Sequence, residues 1–309
     1  MLAPAPTAVA TAAAARWRRE LDAGRRALET DFRQHRRARR LLAGQSRLTD
    51  RVLCGLWAEV QPPPGAALVA VGGYGRGRLF PHSDVDVLIL LPQPLAEMSR
   101  ECATAVERFV SLMWDTGLEV GQSVRTIEDC EKEMSGDAIV RTSLLERRLL
   151  AGSRALYRRF ARRFALTFDL RGFFESKMLE QQQRLLRHQD AVYNLEPNLK
   201  DSPGGIRDLQ TILWIALAAG LGRTWGELAA QGLMTSGEAR EILRHERLLE
   251  DLRVRLHYLT GRREDRLVFD VQTALAHELG LADTPTRRAS ELLMQRYYRA
   301  AKSIRQLNV

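Results

Sequence analysis

Apolar positions along the chain follow a helical spacing first and a strand pattern afterwards. Residues 16–60 place leucine, valine and tryptophan side chains three or four positions apart, which predicts helix, and the Pro-Pro-Pro run within residues 61–65 ends that pattern. Short apolar runs over residues 66–71 and 84–91 predict two strands. Four glycines lie between these strands, so a tight turn is expected to follow the first of them.

The rest of the chain is predicted to be mostly helical. Residues 95–114 favour a helix, and residues 118–125 form a third candidate strand with weaker alternation. From residue 127 onward the helical spacing continues, and we expect essentially no strand after about residue 140. Residues 1–15 are rich in alanine and proline, lack the basic start of a signal peptide, and are predicted to form a disordered arm. The pattern as a whole indicates an α+β region followed by a helical domain.

Composition indicates a globular protein of a reducing compartment. With 309 residues, 45% of them hydrophobic, the chain can form a core divided over about two domains. The three cysteines have no Cys-x-x-Cys spacing, so neither a disulfide framework nor a zinc site is expected, which favours the cytoplasm. The longest apolar run, residues 212–219, is far below the roughly 18 residues that cross a bilayer, so no membrane span is expected.

The chain is strongly basic, with a formal net charge of +9 and a pI near 10.0. Only four of the 47 basic residues are lysine, a bias that coding composition alone can produce. The densest basic run, residues 33–40, has no aromatic residues interleaved for base stacking, so a solvated helix face is favoured over a phosphate-binding patch. A nucleic-acid partner is therefore not expected.

Residues 71–90 contain the pattern that indicates chemistry. They read Val-Gly-Gly-Tyr-Gly-Arg-Gly-Arg-Leu-Phe-Pro-His-Ser-Asp-Val-Asp-Val-Leu-Ile-Leu. The glycines let backbone amides approach a ligand closely. If residues 75–79 begin a helix, its first N–H groups favour an anion such as a triphosphate.

Asp84 and Asp86 stand two residues apart at the start of the second strand, so both carboxylates are expected on one face. Two like charges at that distance favour a cation, and nucleotidyl transfer needs Mg²⁺ to neutralise the phosphates and to align the attacking oxygen. A glycine turn alone, or an Asp-x-Asp pair alone, is weak evidence because each occurs in ordinary loops and caps. Their combination with two strands is far more specific and indicates catalysis.

This segment resembles the nucleotidyltransferase signature of the DNA polymerase β superfamily. Its Gly-Gly-Tyr-Gly-Arg-Gly and Phe-Pro-His-Ser-Asp-Val-Asp parts are similar to those of the PII uridylyltransferases in particular. A second stretch, residues 194–214, has the Glu-Pro-Asn, Lys and Gly-Gly-Ile-Arg-Asp elements of the same family, shared in part with glutamine-synthetase adenylyltransferases. Weaker likenesses over residues 117–126, 142–152 and 256–275 extend the resemblance to about residues 30–309.

The resemblance implies a fold and an activity. The fold is α+β, with a small mixed-sheet nucleotidyltransferase domain and its N-terminal helices over residues 16–135, followed by an all-helical domain over residues 136–309. The activity is transfer of UMP from UTP to a tyrosine of the signalling protein PII under nitrogen control. Asp84 and Asp86 correspond to the metal-binding pair, and the implied cofactor is Mg²⁺.

The resemblance also indicates the other site residues. The nearest candidate for a third catalytic carboxylate is Glu119. The candidate nucleotide-binding residues lie in the glycine turn, in its continuation or in the second stretch, and they are Gly72, Gly73, Tyr74, Arg76, Gly77, Ser83, Lys200 and Arg207. For Lys200 and Arg207 a structural role is an equal alternative, with a buried Arg-Asp pair involving Asp208 after a Gly-Gly helix start. Arg78 departs from the family, which usually has Glu there.

Full-length members of that family are much longer and contain a hydrolytic HD domain and two glutamine-sensing ACT modules. The six histidines here include no His-Asp dipeptide, so we expect a truncated product or fragment, or else a naturally short paralogue, without UMP removal or a glutamine response. Three other functions stay open. They are adenylyl transfer to glutamine synthetase or another protein, a non-catalytic regulator that binds nucleotide or PII, and an RNA nucleotidyltransferase supported only by charge.

Overall fold

The computed structural model describes residues 8–187 and 195–307. The chain divides into two compact units, Met1–Phe168 and Asp169–Val309. The first unit extends further along the chain than the boundary predicted at residue 135, because a strand beyond residue 140 returns to its sheet.

The first unit combines a four-stranded sheet with helices on both faces. Its strands are β1 (Ala67–Ala70), β2 (Val85–Leu90), β3 (Val120–Arg125) and β4 (Arg148–Gly152). Its helices are α1 (Ala8–His35), α2 (Ala38–Glu59), α3 (Gly72–Gly75), α4 (Arg100–Asp115), α5 (Ile127–Gly136), α6 (Ala138–Leu145) and α7 (Arg154–Thr167), with a 3-10 turn at Leu95–Glu97. The three strands predicted from the sequence are confirmed to within two residues at each end.

The strands lie in the order β3-β2-β1-β4. β1 pairs antiparallel with β2 and with β4, whereas β2 pairs parallel with β3, so the sheet is mixed as predicted. A parallel pair needs a crossover connection, and α4 forms it here. The register of the parallel pair sets Asp86 of β2 beside Gly121 of β3.

Alternate residues of β2 pack into two separate cores. Val85 and Val87 belong to a core that includes side chains of α1, α2 and α4. Leu88 and Leu90 belong to a second core, on the other face, with side chains of α5, α6 and α7. Because strand side chains alternate, Asp86 lies on the face of the second core.

Two expectations from the sequence are wrong. Residues 8–15 are helical rather than disordered, because α1 begins at Ala8 and its Ala14 is buried in the first core. Residues 1–7 of the predicted arm lie outside the described residues. β4 lies where the sequence predicts only helix, because a short apolar run such as Leu149 and Leu150 has the same appearance in a buried strand and in a buried helix.

The second unit is helical, as predicted. Its helices are α8 (Leu170–Arg187), α9 (Ile206–Ala218), α10 (Trp225–Ala230), α11 (Ser236–Thr260), α12 (Phe269–Glu278) and α13 (Ala289–Leu307). Over residues 169–187 and 195–307, β-structure is limited to two isolated bridges. In the described part of the whole chain, no helix combines the length and the apolar character that a membrane crossing requires.

A buried ion pair joins α8 to α9. Asp208 is 2% exposed and accepts hydrogen bonds from the Arg184 guanidinium and from the Gly204 N–H, the latter at 2.7 Å. The sequence alone offers a buried Arg-Asp pair involving Asp208 as one of two equal alternatives, without identifying the arginine. Adjacent helical residues point in different directions, and Arg207 contacts Asp201 at 3.4 Å instead.

Asp208→Ala is expected to destabilise the protein by about 3–5 kcal/mol, because Arg184 would keep a buried charge without its partner. Denaturant unfolding measures this change. Asp201→Ala is the matched control, since its carboxylate is 41% exposed, and it should cost less than about 1 kcal/mol. Equal losses in the two variants would contradict the importance of the buried pair.

Candidate active site

A four-residue helix, α3, contains the first three glycines of the turn and directly follows β1. Val71, which precedes it, is extended and donates its N–H to the Asp86 carbonyl oxygen at 3.0 Å. Gly72 has a φ of +58°, in the left-handed region that favours glycine. The helix begins at Gly72 and ends at Gly75, so the condition that residues 75–79 begin a helix is not met.

Gly75 is required for close packing of the backbone. A Cβ atom at this position would lie 1.7 Å from the Glu146 carbonyl oxygen and 2.9 Å from the Ala70 carbonyl oxygen. Both neighbours are backbone atoms, so a side chain here would push the turn away from the connection between α6 and β4. Gly77 differs, because it has a φ of +77° and open space around it, so its backbone conformation is what requires glycine.

The carboxylate of Asp86 lies between two glycines. A Cβ atom on Gly121 would lie 2.5 Å from its Oδ1, and a Cβ atom on Gly72 would lie 3.3 Å from its Oδ2. The Ser143 hydroxyl of α6 approaches the same point over Gly72 at 3.6 Å. The half-buried carboxylate is thus flanked by backbone where side chains would otherwise fill the space.

Asp84 is exposed and directly precedes β2. Before it, the Ser83 N–H bonds the Phe80 carbonyl oxygen at 3.2 Å. His82 has a φ of +55°, which is uncommon for a residue with a side chain. The chain therefore turns sharply before the strand, and continuing the strand alternation by one residue puts Asp84 on the face of Asp86. A metal site shared by the two aspartates stays a prediction.

Glu119 lies at the same end of the sheet, just before β3. Its carbonyl oxygen accepts the Val85 N–H at 2.8 Å, and the register of Val85 with Val120, continued by one residue, sets Glu119 opposite Asp84. Its side chain is exposed. Within residues 8–187 and 195–307, no group of three or more His, Cys, Asp or Glu residues is placed to bind a metal ion, so the role of Glu119 as third carboxylate stays a prediction.

The two aspartates fit a divalent cation. They offer carboxylate oxygens, which are the donors that Mg²⁺ and similar hard cations prefer. The space beside the Asp86 carboxylate is one that Cβ atoms on Gly72 and Gly121 would fill, so the absence of side chains leaves the oxygens accessible. Asp86 is also positioned by a buried strand, which restricts its movement.

Tyr74 faces the interior. It is 1% exposed, and its hydroxyl donates to Oδ1 of Asp50 in α2 at 2.6 Å. Burial raises the pKa of the Tyr74 hydroxyl, and the charge of Asp50 raises it further. The prediction that Tyr74 binds nucleotide is therefore wrong for its side chain, which is engaged in the core, and only its backbone remains a candidate contact.

Arg76 follows α3 and lies over the glycine turn. Its Nη1 pairs with Oε1 of Glu146 at 3.2 Å, and its Nη2 lies 3.8 Å from the position of a Cβ atom on Gly73. Its Nε is buried and has no hydrogen-bond partner among the described residues. The guanidinium is thus beside the turn, with Glu146 neutralising part of its charge.

Lys200 and Arg207 lie in the second unit, before and after the start of α9. The Arg207 N–H donates to the Lys200 carbonyl oxygen at 2.8 Å, and the Arg207 guanidinium lies 5.3 Å from the centre of the Trp214 ring. Burial, and then the positive charges of Arg207 and Arg253, lower the pKa of the Lys200 amine to about 8. The charges of Asp201 and Asp265 oppose this lowering, and a further anion would oppose it as well.

Sequence reasoning does not single out several residues that the structure places around the turn. They are Asp50, Gly121, Ser143, Glu146 and Arg148. Four of them lie within residues 117–126 and 142–152, where a weak family likeness was the available signal. Asp50 has no such signal, because its role depends on contacts with side chains distant in sequence.

Two family descriptions match separate parts of the chain. Residues 53–150, which include β1 and β2, match the family described as nucleotidyltransferase domain. Residues 172–309 match the family described as GlnD PII-uridylyltransferase. Together they cover the glycine turn, the aspartates and the helical second unit.

Curated relatives match nearly the whole chain. Enzymes named bifunctional uridylyltransferase/uridylyl-removing enzyme from Nitrosospira multiformis, Bordetella parapertussis and Chromobacterium violaceum are 53%, 55% and 52% identical to it, each over 94% of this chain. The alignments cover 33%, 33% and 34% of those proteins, so the chain spans about a third of the length of the relatives it matches. On this identity, and with both family matches in place, the chain belongs to the family of bacterial PII uridylyltransferases.

Proposed function

We propose that the chain transfers UMP from UTP to a tyrosine of the PII signalling protein, in the cytoplasm and with Mg²⁺ as its metal ion. The observation that supports this most directly is the Asp86 carboxylate between Gly72 and Gly121, beside the glycine turn. Membership of the family supports the reaction class, and the names of the relatives support uridylyl transfer.

In the proposed reaction the phenol oxygen of the acceptor bonds to the α-phosphorus of UTP, and the bond to the bridging oxygen breaks to release pyrophosphate. Nucleotidyltransferases generally use a divalent metal ion, which neutralises the phosphates and aligns the attacking oxygen. Asp84 and Asp86 would bind it. Glu119, at the same end of the sheet, is the candidate to accept the phenol proton.

The glycine turn is proposed to bind the phosphates through its backbone. Gly72 and Gly73 begin α3, and the preceding Val71 makes no side-chain cap to their N–H groups. Without side chains, these residues let phosphate oxygens approach the amides closely. Arg76 adds positive charge beside the turn, while Gly77 and Ser83 continue the proposed nucleotide contacts towards Asp84.

The decisive experiment incubates the chain with PII, Mg²⁺ and either UTP, ATP or CTP, and then measures the intact mass of PII. A gain of one UMP with UTP, located at a tyrosine by fragmentation, is the expected result. A gain with ATP instead would replace the proposal with adenylyl transfer. No gain with any nucleotide would contradict transfer and favour the non-catalytic regulator.

Asp86→Asn is expected to lower the transfer rate by on the order of a hundredfold or more, because the metal loses a charged ligand. Folding should be retained. Without metal, thermal unfolding should be unchanged or mildly improved, since two neighbouring anions become one. The rate is measured beside thermal unfolding with and without Mg²⁺ and UTP.

Asp115→Asn is the control for this change. Asp115 is exposed at the end of α4, whose buried residues belong to the first core, on the other face of the sheet from Asp86. It removes the same charge from the same unit and should leave the rate unaltered. A wild-type rate in Asp86→Asn would show that Asp86 is not a metal ligand.

Gly121→Ala is expected to move the Asp86 carboxylate while leaving the fold intact, so it tests the position of that carboxylate. The new methyl would lie 2.5 Å from Oδ1 of Asp86 and must displace that carboxylate. The transfer rate should therefore fall by about tenfold or more. Stability should change by less than about 1 kcal/mol, since alanine is favoured over glycine in a strand. Gly136→Ala, with no atom within 4 Å of its Cβ, should keep the rate. An active Gly121→Ala would contradict the assigned carboxylate position.

Lys200 and Arg207, both in the second unit, are proposed to bind a phosphate group. The support is electrostatic, since the pKa of Lys200 is lowered by burial and by two neighbouring arginines, and a phosphate would offset that repulsion. Arg207 has only partial compensation in Asp201, which contacts its Nε at 3.4 Å. A bound anion is therefore expected to raise the pKa of Lys200.

Because its pKa is lowered to about 8, Lys200 is expected to be unprotonated at pH 8 to a larger extent than an ordinary lysine, and to be acylated faster than the exposed Lys132 and Lys302. Competitive labelling with isotopic acetic anhydride and peptide mass spectrometry measures this rate. UTP with Mg²⁺ should slow the labelling of Lys200 alone. Equal rates for Lys200 and Lys302, with no effect of UTP, would contradict the proposed phosphate contact.

The lowered pKa of Lys200 also makes the stability of the protein depend on pH. The pKa of Lys200 in the folded protein, about 8, lies below its ordinary value of 10.5, so the unfolded chain binds more protons between these pH values. The free energy of unfolding should therefore rise as pH increases from about 8 to 10.5. Lys200→Gln should remove this part of the rise, which denaturant unfolding at several pH values measures.

A further inference from the structure

Arg148, the first residue of β4, contacts the backbone of the glycine turn. Its Nε donates to the Gly75 carbonyl oxygen and its Nη2 to the Tyr74 carbonyl oxygen, each at 3.4 Å. The register of β4 with β1 sets Arg148 opposite Ala70, two residues before the turn begins at Gly72. The guanidinium therefore reaches the end of α3 from the neighbouring strand.

Asp50 of α2 fixes the orientation of this guanidinium. Its two carboxylate oxygens accept from Nη1 and Nη2 of Arg148 at 2.8 and 2.9 Å, which is the bidentate geometry of a strong arginine pair. Burial lowers the pKa of Arg148, but the hydrogen bonds and charge of Asp50 outweigh burial and raise it above its ordinary value. The arginine therefore stays charged while it contacts the turn.

Tyr74, a residue of the turn itself, also contacts both Asp50 and Arg148. Its hydroxyl donates to Oδ1 of Asp50 at 2.6 Å, and its ring centre lies 5.5 Å from the Arg148 guanidinium. Side chains of α2, α3 and β4 are thus joined around one carboxylate. The turn is attached at its buried ring and at two of its carbonyl oxygens.

We propose that Arg148 is a positioning residue, fixed by Asp50 and Tyr74, that keeps the glycine turn in the conformation that binds the nucleotide phosphates. This inference rests on the proposed function. Ordering one backbone residue costs about 1–2 kcal/mol, and glycine, with the largest conformational freedom, loses the most. A turn with three glycines in four residues would impose that cost on every nucleotide unless protein contacts order it beforehand.

Within this network the Tyr74 ring belongs to the first apolar core, whereas Arg148 and Asp50 belong to neither core. Arg148 and Asp50 are 35% and 26% exposed, and the arginine reaches carbonyl groups of the turn while β4 pairs with β1 through its own backbone. Arg148→Lys keeps the charge but loses the planar fork that bonds Asp50 and both carbonyls. The fold is expected to survive, and the turn to become more mobile.

The test combines hydrogen–deuterium exchange of the nucleotide-free chain with steady-state kinetics of transfer to PII. In Arg148→Lys, deuterium uptake over residues 71–79 should increase while uptake in α11 is unchanged. If the competent turn conformation falls to about a tenth of the population, KM for UTP rises about tenfold. The turnover number should change less than about twofold, since bound nucleotide reorders the turn. Asp86→Asn, by contrast, is expected to lower the turnover number.

Arg163→Lys is the matched control. Arg163 of α7 makes a bidentate pair with Glu131 of α5 in the same unit, at 2.7 and 2.6 Å. The Arg163→Lys substitution removes an equivalent bidentate guanidinium pair and should alter neither the deuterium exchange of residues 71–79 nor the KM for UTP. Tyr74→Phe removes one hydrogen bond and keeps the ring, so it should give a smaller rise in both, and it replaces Arg148→Lys if that variant does not fold.

The outcomes separate this inference from the proposed function. Faster exchange in the turn together with a higher KM supports positioning by Arg148. Unchanged exchange, or faster exchange with an unchanged KM, overturns it. If the wild-type chain transfers no nucleotide at all, the proposed function fails, while the exchange comparison with Mg²⁺ and UTP added still decides whether Arg148 orders the turn for nucleotide.

Discussion

The candidate site depends on the antiparallel pairing of β1 with two strands at once. At the end of β1, Val71 donates its N–H to the Asp86 carbonyl oxygen on the β2 side, and Ala70 lies opposite Arg148 on the β4 side. Strand β1 thus brings Asp86 and Arg148 to opposite sides of the same glycine turn. A shift of one residue in the β1–β2 register would move the partner of Val71 and exchange the two faces of β2.

Three glycines of this site are required for three different reasons. Gly72 has the left-handed backbone conformation, Gly75 packs against a carbonyl oxygen too closely for any side chain, and Gly121 leaves room for the Asp86 carboxylate. The first is a local property of the turn. The other two arise only when β4 and β3 are in place, so the same residue type serves conformation, packing and access to the site.

The acidic residues discussed for the first unit fall into two groups that differ in their surroundings. The carboxylates of Asp84 and Asp86 stand at the exposed end of the strand, where a cation would offset their repulsion. Asp50 instead has its charge compensated by Arg148, and its Oδ1 also accepts a hydrogen bond from the Tyr74 hydroxyl. Acidic residues with similar chemistry are therefore proposed to bind a ligand in one place and to order the glycine turn in the other.

The sequence by itself determined the mixed α+β class, the three strands over residues 66–125 and the Asp-x-Asp pair, because strand periodicity and glycine turns are local signals. It also indicated the family through two motifs. Local pattern did not reveal β4, since an apolar run of that length is common to buried helix and buried strand. Nor did it reveal that Tyr74 points into the core towards Asp50, or that Asp208 pairs with Arg184. Those contacts join residues far apart in the chain, and only the packing of the folded elements brings their side chains together.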